Sequence, residues 1–254
     1  MTAEAAIRLK GLPFERVDWA MNGEHAARMQ EIYGEGNSTV PGMLVDGEPV
    51  HGSRAILQRL EHIEPDPALY PSEEVREAER WGDEELQDLG RRLPWGALHF
   101  RPEQLAAIGG GEPLDGPGTD VAIRFIYGTW RYHKITAARL ADDLAGLPAK
   151  LDHIESLARA GVIGGETANA ADLQIGATIR VLLPIGDLGP LLAGTAAERI
   201  ALRHFPEYGG ALAPRAYPVG WVPERALRVS RGWGRTTVCK QPPQRVVRSP
   251  LSGP

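Results

Sequence analysis

Residues Ser38–Leu57, STVPGMLVDGEPVHGSRAIL, restrict the fold more than any other stretch of the chain. Met43-Leu44-Val45 is a short apolar run of the kind a buried strand uses. Asp46-Gly47 is a strong hairpin signal, because a type I′ turn needs positive φ at both central residues. Glu48-Pro49-Val50-His51 is then the returning strand, and Pro49, which cannot donate to a ladder, places it at a sheet edge. Ser53 opens a helix to about Ile63, with Ala55, Ile56 and Leu60 on one face and Arg54, Gln58 and Glu61 on the other. Taken alone, these residues describe equally well an ordinary hairpin packed on a helix.

Before the hairpin stands Val40-Pro41. A Val-Pro, a strand, an Asp-Gly turn, a second strand and a Ser-opened helix resemble the glutathione-binding half of the glutathione S-transferase family, a variant of the thioredoxin fold. The run LKGLPFERVDW, Leu9–Trp19, is similar to the turn by which that family passes from its first helix to its second strand. The resemblance implies a cis Val40-Pro41 bond, with the Val40 backbone facing the cysteinyl part of glutathione. It also implies that Ser53 takes the γ-glutamyl carboxylate, which suits a helix N-terminus. The family usually has Glu or Gln before that serine, and here Gly52 stands there.

Read in order, the chain starts with a helix over Thr2–Lys10 that stops at Gly11. Phe14–Trp19 alternates as a strand does, and His25–Tyr33 is a weak helix. The family's domain begins one strand earlier, with the activating Ser, Tyr or Cys right after that strand. The sequence is therefore expected to start inside the first helix, with a truncated sheet and no activating residue of its own. Glu64-Pro65-Asp66-Pro67 and Tyr70-Pro71 form a stiff linker, because proline restricts itself and the residue before it. The domains expected are residues 1–66, thioredoxin-like α/β, and residues 72–217, all-α.

Ser72 caps the first helix of the second part, which runs past Leu93 despite Pro94. Ile108–Gly118 is rich in glycine, but no strand precedes it and no Lys-Ser/Thr pair follows, so it reads as an inter-helix loop rather than a phosphate cradle. Thr119–Leu144 is one long helical stretch, Pro148–Ala160 another, and Thr195–His204 a further helix. Gly164-Gly165-Glu166-Thr167-Ala168-Asn169-Ala170-Ala171-Asp172 carries a capping box, Asn169 with Asp172, ahead of an apolar helix over Leu173–Leu183 that should run through a core. This box resembles the capping motif in the family's helical domain. The family's second-substrate pocket lies between the domains, and the residues that resemblance implies for it are Trp81, Trp95, His99, Tyr127 and Trp130.

Charge and composition narrow the function classes. Residues 224–254 carry seven Lys or Arg against Glu224, a net of +6, which leaves −11 on the rest of a chain whose total is −5. An acidic body argues against nucleic acid as the main partner. The basic tail has no sustained apolar period and reads as disordered. Arg131, His133 and Lys134 beside Trp130 and Tyr132 read as two faces of one helix. A single cysteine, Cys239, excludes a disulfide framework, and no His pairs with acids at metal-ligand spacing, so no metal is expected. Apolar runs are too short for a membrane span. Met1-Thr2-Ala3-Glu4 has neither the basic start nor the apolar core of a secretory signal, and the cytoplasm is the expected compartment.

Two functions follow. The first is transfer of the thiol of glutathione, or of a similar low-molecular-weight thiol, to a small-molecule electrophile. The second is a protein of the same fold that binds a partner without catalysis. A homodimer is among the assemblies the resemblance allows.

Overall fold

A computed structural model describes residues 1–19 and 24–224. The basic tail from Arg225 onward, with Cys239, lies outside the described residues. The first part of the chain is α1 (Thr2–Leu9), α2 (His25–Tyr33), β1 (Gly42–Val45), β2 (Glu48–His51) and α3 (Ser53–Ile63). The two strands pair antiparallel with Met43 opposite Val50 and Leu44 opposite Pro49, and they form the one sheet among the described residues. Asp46 and Gly47 take φ of 51° and 87°, as the two-residue turn requires.

The expected strand over Phe14–Trp19 is not formed: residues 12–19 pair with no strand among the described residues. Neither of its two faces is apolar throughout, and Val17 is 64% exposed. The segment is held instead by surface contacts, with Arg16 paired to Glu4 and Asp18, and the Arg8 guanidinium over the Phe14 ring. On α3 the buried face is Ile56, Leu57 and Leu60, whereas Ala55 is exposed. Gly52, not Ser53, occupies the cap position, and Ser53 is the first helical residue.

A linker joins this part to the helices. Its amides are fixed by Glu61 of α3, whose carboxylate accepts from Leu69 N, Tyr70 N and the buried Lys10 ammonium at 2.7 Å. Burial alone would push the Glu61 carboxyl up, but Lys10 and the two amides together hold it below the usual carboxylate range. The Leu69 carbonyl accepts from Ala170 N, which ties the linker to the second half.

That half is α4 (Glu73–Trp81), a π-helical turn (Gly82–Leu86), α5 (Gln87–Phe100), α6 (Gly116–Tyr132), α7 (Ala137–Arg159), α8 (Ala170–Leu182), α9 (Gly189–Leu192) and α10 (Ala196–His204). Ser72 caps α4 by accepting from Val75 N. As expected, α5 runs through Pro94, while short 3-10 turns and an extended stretch fill residues 101–115. The expected helices over Thr119–Leu144 and Pro148–Ala160 are divided differently: the break falls at His133–Thr136, and α7 passes through Pro148 without interruption. Lys134 adopts φ of 51°, Ile135 N bonds back to Trp130 O, and Thr136 caps α7 through Arg139 N. These local bonds end α6, whereas Leu144, Leu147 and Leu151 are buried on both sides of Pro148 and keep α7 continuous.

Helix α8 is the axis of the molecule. It packs on α1, α4, α5 and α10, and every residue of it but Val181 is buried. The reciprocal box is present: Asp172 N donates to Asn169 Oδ1, Asn169 N donates to Asp172 Oδ2, and Gly164 N donates to Asp172 Oδ1 at 2.6 Å. One side of α8, with Ile175, Ile179 and Leu182, faces the large helical core, while Leu173 and Ala177 join a second core with Ala6, Ile7, Ile56, Leu57 and Leu60. The first half therefore completes its core on a helix of the second.

Candidate functional site

The seam between the halves opens into a cleft of about 230 Å³. Val40, Pro41 and Ser53 line it from the first half. Gln87, Gly90 and Arg91 of α5 and Ala177, Thr178 and Val181 of α8 line it from the second, and Met1 and Thr2 close one end.

Local chemistry builds the first wall. The Val40-Pro41 bond is cis, and the Val40 side chain is 58% exposed. The Pro41 carbonyl accepts from Gly52 N at 2.9 Å, which joins this loop to the start of α3. Gly52 holds φ of 89°, a conformation that favours glycine over any residue with a side chain. The chain thereby turns so that Ser53, buried beside the cleft, begins α3. The first-turn amides of α3 have no side-chain cap, because the cap residue is Gly52. Helix N-terminal amides of this kind favour an anion. His51 Nε2 lies 2.7 Å from Thr39 O, and Ser38 Oγ lies 3.0 Å from Tyr132 Oη at the end of α6, so the loop before Val40 is held from both halves. Among the described residues no hydrogen bond uses the Val40 N–H or C=O.

The second wall depends on close helix packing. A Cβ on Gly90 would sit 3.1 Å from Thr178 Cγ2, so glycine lets α5 and α8 approach at the floor of the cleft. Two of the three cleft hydroxyls are engaged by helix carbonyls: Thr2 Oγ1 donates to Leu173 O at 3.4 Å, and Thr178 Oγ1 donates to Gln174 O at 3.2 Å.

The five aromatic positions implied for a second-substrate pocket are placed elsewhere. His99 and Trp130 stack with centroids 3.9 Å apart, and Trp95 meets Phe125 nearby on the same pair of helices. Burial lowers the His99 pKa. Trp81 packs on His153 of α7 at 4.4 Å, and Tyr127 is 57% exposed. None of the five lines the cleft beside Val40. The residues that do, on α5 and α8, escaped the sequence reading; their one signal is the spacing 87, 90, 91 and 177, 178, 181, which puts each set on one helix face. Among the described residues no cluster of His, Cys, Asp or Glu is arranged to hold a metal, and no helix is long and apolar enough to cross a membrane.

A smaller cavity of about 130 Å³ lies between α3 and α4, lined by Arg54, Tyr70, Arg76 and Glu79 among others. The Glu79 carboxylate is buried, with Arg54 Nε 3.3 Å from Oε2. Burial pushes its pKa up to about 7 against the pull of Arg54.

Comparison with known proteins adds three findings. Residues 1–68 match the family model described as glutathione S-transferase, N-terminal domain. No curated protein matches the chain. Among solved structures, a glutathione S-transferase of Methylobacterium radiotolerans, in complex with glutathione sulfonate, is similar at 20% identity and a TM-score of 0.39, over 84% of this chain and 92% of that one. The segment that carries Val40, Pro41 and Ser53 lies wholly within the residues that match this N-terminal domain model.

Proposed function

We propose that the cleft binds glutathione, or a similar low-molecular-weight thiol, and that the protein transfers its sulfur to a small electrophile in the cytoplasm. The observation that carries this reading is the convergence of the Val40 backbone and the uncapped start of α3 on one cleft. An extended peptide pairs with the Val40 N–H and C=O, as in strand addition, and its free carboxylate sits on the α3 amides beside Ser53. In the transfer step the thiol loses its proton to solvent, the sulfur forms a bond to the electrophilic carbon, and the leaving group departs with its electron pair.

A second reading is a protein of this fold that binds a thiol or a partner without turnover. It is favoured by one observation: Thr2 and Thr178, the hydroxyls at the cleft besides Ser53, donate to helix carbonyls rather than toward the cleft. Calorimetric titration with glutathione, alongside an assay of conjugation to 1-chloro-2,4-dinitrobenzene, separates the two. Saturable binding that Ser53→Asp weakens at least tenfold supports a carboxylate at the start of α3, since a like charge there repels it. Binding with turnover supports the enzyme, binding without turnover supports the second reading, and no binding by the unaltered protein contradicts the first reading and the thiol form of the second.

A further inference from the structure

The cleft has an uneven charge distribution that the thiol reading does not use. Among the described residues Arg91 is the one charged side chain that lines it, and no carboxylate does. The acids nearby are committed elsewhere. Asp143 binds Arg92 through both oxygens, at 2.5 and 2.8 Å. Asp88 gives one oxygen to Arg92 at 2.6 Å and leaves Arg91 a contact of 3.4 Å. The firm bond of Arg91 is to a neutral group, the Gln87 amide oxygen at 2.7 Å. A guanidinium carries five N–H donors in a planar fork suited to carboxylate, and two of those on Arg91 are occupied. His133 on the adjoining turn shows the same local field. Burial lowers its pKa first, and Arg91 and Arg92 lower it further while Asp88 alone opposes them. Next to this cation stand Ala177 and Val181, an apolar wall on the neighbouring helix.

We propose that Arg91 selects the second substrate: the cleft takes electrophiles that pair a compact apolar body with a carboxylate or another oxyanion. The body lies against Ala177 and Val181, and the anion takes the free donors of the Arg91 fork. This rests on the thiol reading above and specifies the electrophile for the same site. Gln87 fixes the fork from one side, so the cation is oriented before a ligand arrives.

The test compares two thioether conjugates that differ in one group, S-benzylglutathione and S-(4-carboxybenzyl)glutathione, by calorimetry on the full chain. The unaltered protein is expected to bind the carboxylated conjugate about tenfold more tightly, the size of one charge-assisted bond at a half-exposed site. In Arg91→Gln the ratio of the two affinities is expected to fall to about one, whatever happens to glutathione itself, and added salt is expected to reduce the ratio in the unaltered protein. Equal affinities in the unaltered protein overturn the proposal while leaving the thiol reading intact. So does a ratio that survives Arg91→Gln. If neither conjugate nor glutathione binds, the thiol reading fails and this proposal fails with it.

Discussion

The two halves of the chain reach their buried cores by different routes. In the helical half, α4, α5 and α10 pack on α8 and α7 packs on α5 and α10, and Leu89, Leu93, Leu140, Leu144, Ile175 and Ile179 are sealed from water by residues of that half alone. In the first half a two-stranded sheet leaves Leu44 55% exposed, and Ile56, Leu57 and Leu60 are sealed only by including Leu173, Ala177 and Phe205 of the other half. Two strands are too few for independent stability, so the half that carries the site leans on α8 for its order. The difference explains why the cleft lies where it does. The seam is where a helix with its own core presents one more face to a partner that lacks one.

Substitutions on and off the seam break this comparison at different strengths. Leu173→Ala removes a buried side chain that both halves share, and should cost about 2–5 kcal/mol by thermal or denaturant unfolding. If the first half leans on α8, the same variant loses hydrogen-exchange protection in α1 and α3 before it does in α7. Equal loss in all three would mean the halves unfold as one unit. Next in size is Asp172→Ala. Its carboxylate satisfies two buried amides, Asn169 N and Gly164 N, so the loss should reach about 2–3 kcal/mol rather than the smaller cost of an exposed cap. An unchanged melting temperature would show that the box does not hold α8 in place.

Glu79 offers a smaller and pH-dependent effect. Its folded pKa of about 7 lies above the usual carboxylate value, so the folded state binds the proton more tightly than the unfolded chain does. The stability this provides is complete below the ordinary carboxylate range and is lost as the pH rises through about 7. The groups around it are Arg54 from α3, Tyr70 from the linker, Arg80 on its own helix, and Asp83 and Glu84 from the π-helical turn. Glu79→Gln should match the unaltered protein at pH 5 and exceed it by about 1–2 kcal/mol at pH 8, half the full linkage because Arg54 loses its partner. Identical pH profiles would place the carboxylate in contact with solvent. The smallest effect belongs to the sheet: Leu44→Ala should change stability by no more than about 0.5 kcal/mol, as at other exposed positions.

What could be read from the sequence follows the range of the forces involved. Asp46-Gly47, the strands beside it and the Asn169–Asp172 box are set by residues within a few positions of one another, and all appear as expected, while the cap of α3 falls on Gly52 one residue before Ser53. The alternation in Phe14–Trp19 was a local signal too, but a strand needs a neighbour, and its pattern does not say where one lies. Pro148 is a stronger local signal for a helix break than Lys134, yet packing of Leu147 and Leu151 carries α7 across the proline and the break falls at Lys134. The far wall of the cleft was invisible for a different reason. Gln87, Gly90, Arg91 and Thr178 acquire meaning only when α5 and α8 meet, and nothing local in either helix announces that meeting. The aromatic residues of α5 and α6, conspicuous in the sequence, pack mainly on one another instead.

The claim that joins these points is that a thiol peptide lies in the seam, on the Val40 backbone and the start of α3. The most direct measurement is an amide-resolved NMR titration of the full chain with glutathione. The account predicts saturable shifts at Val40, Gly52, Ser53 and Arg54, with smaller ones across the cleft at Ala177 and Thr178, and none at Trp81 or Tyr127. Glutathione at millimolar concentration that leaves the Val40 and Ser53 amides unmoved, or moves the α6 amides in their place, would contradict it.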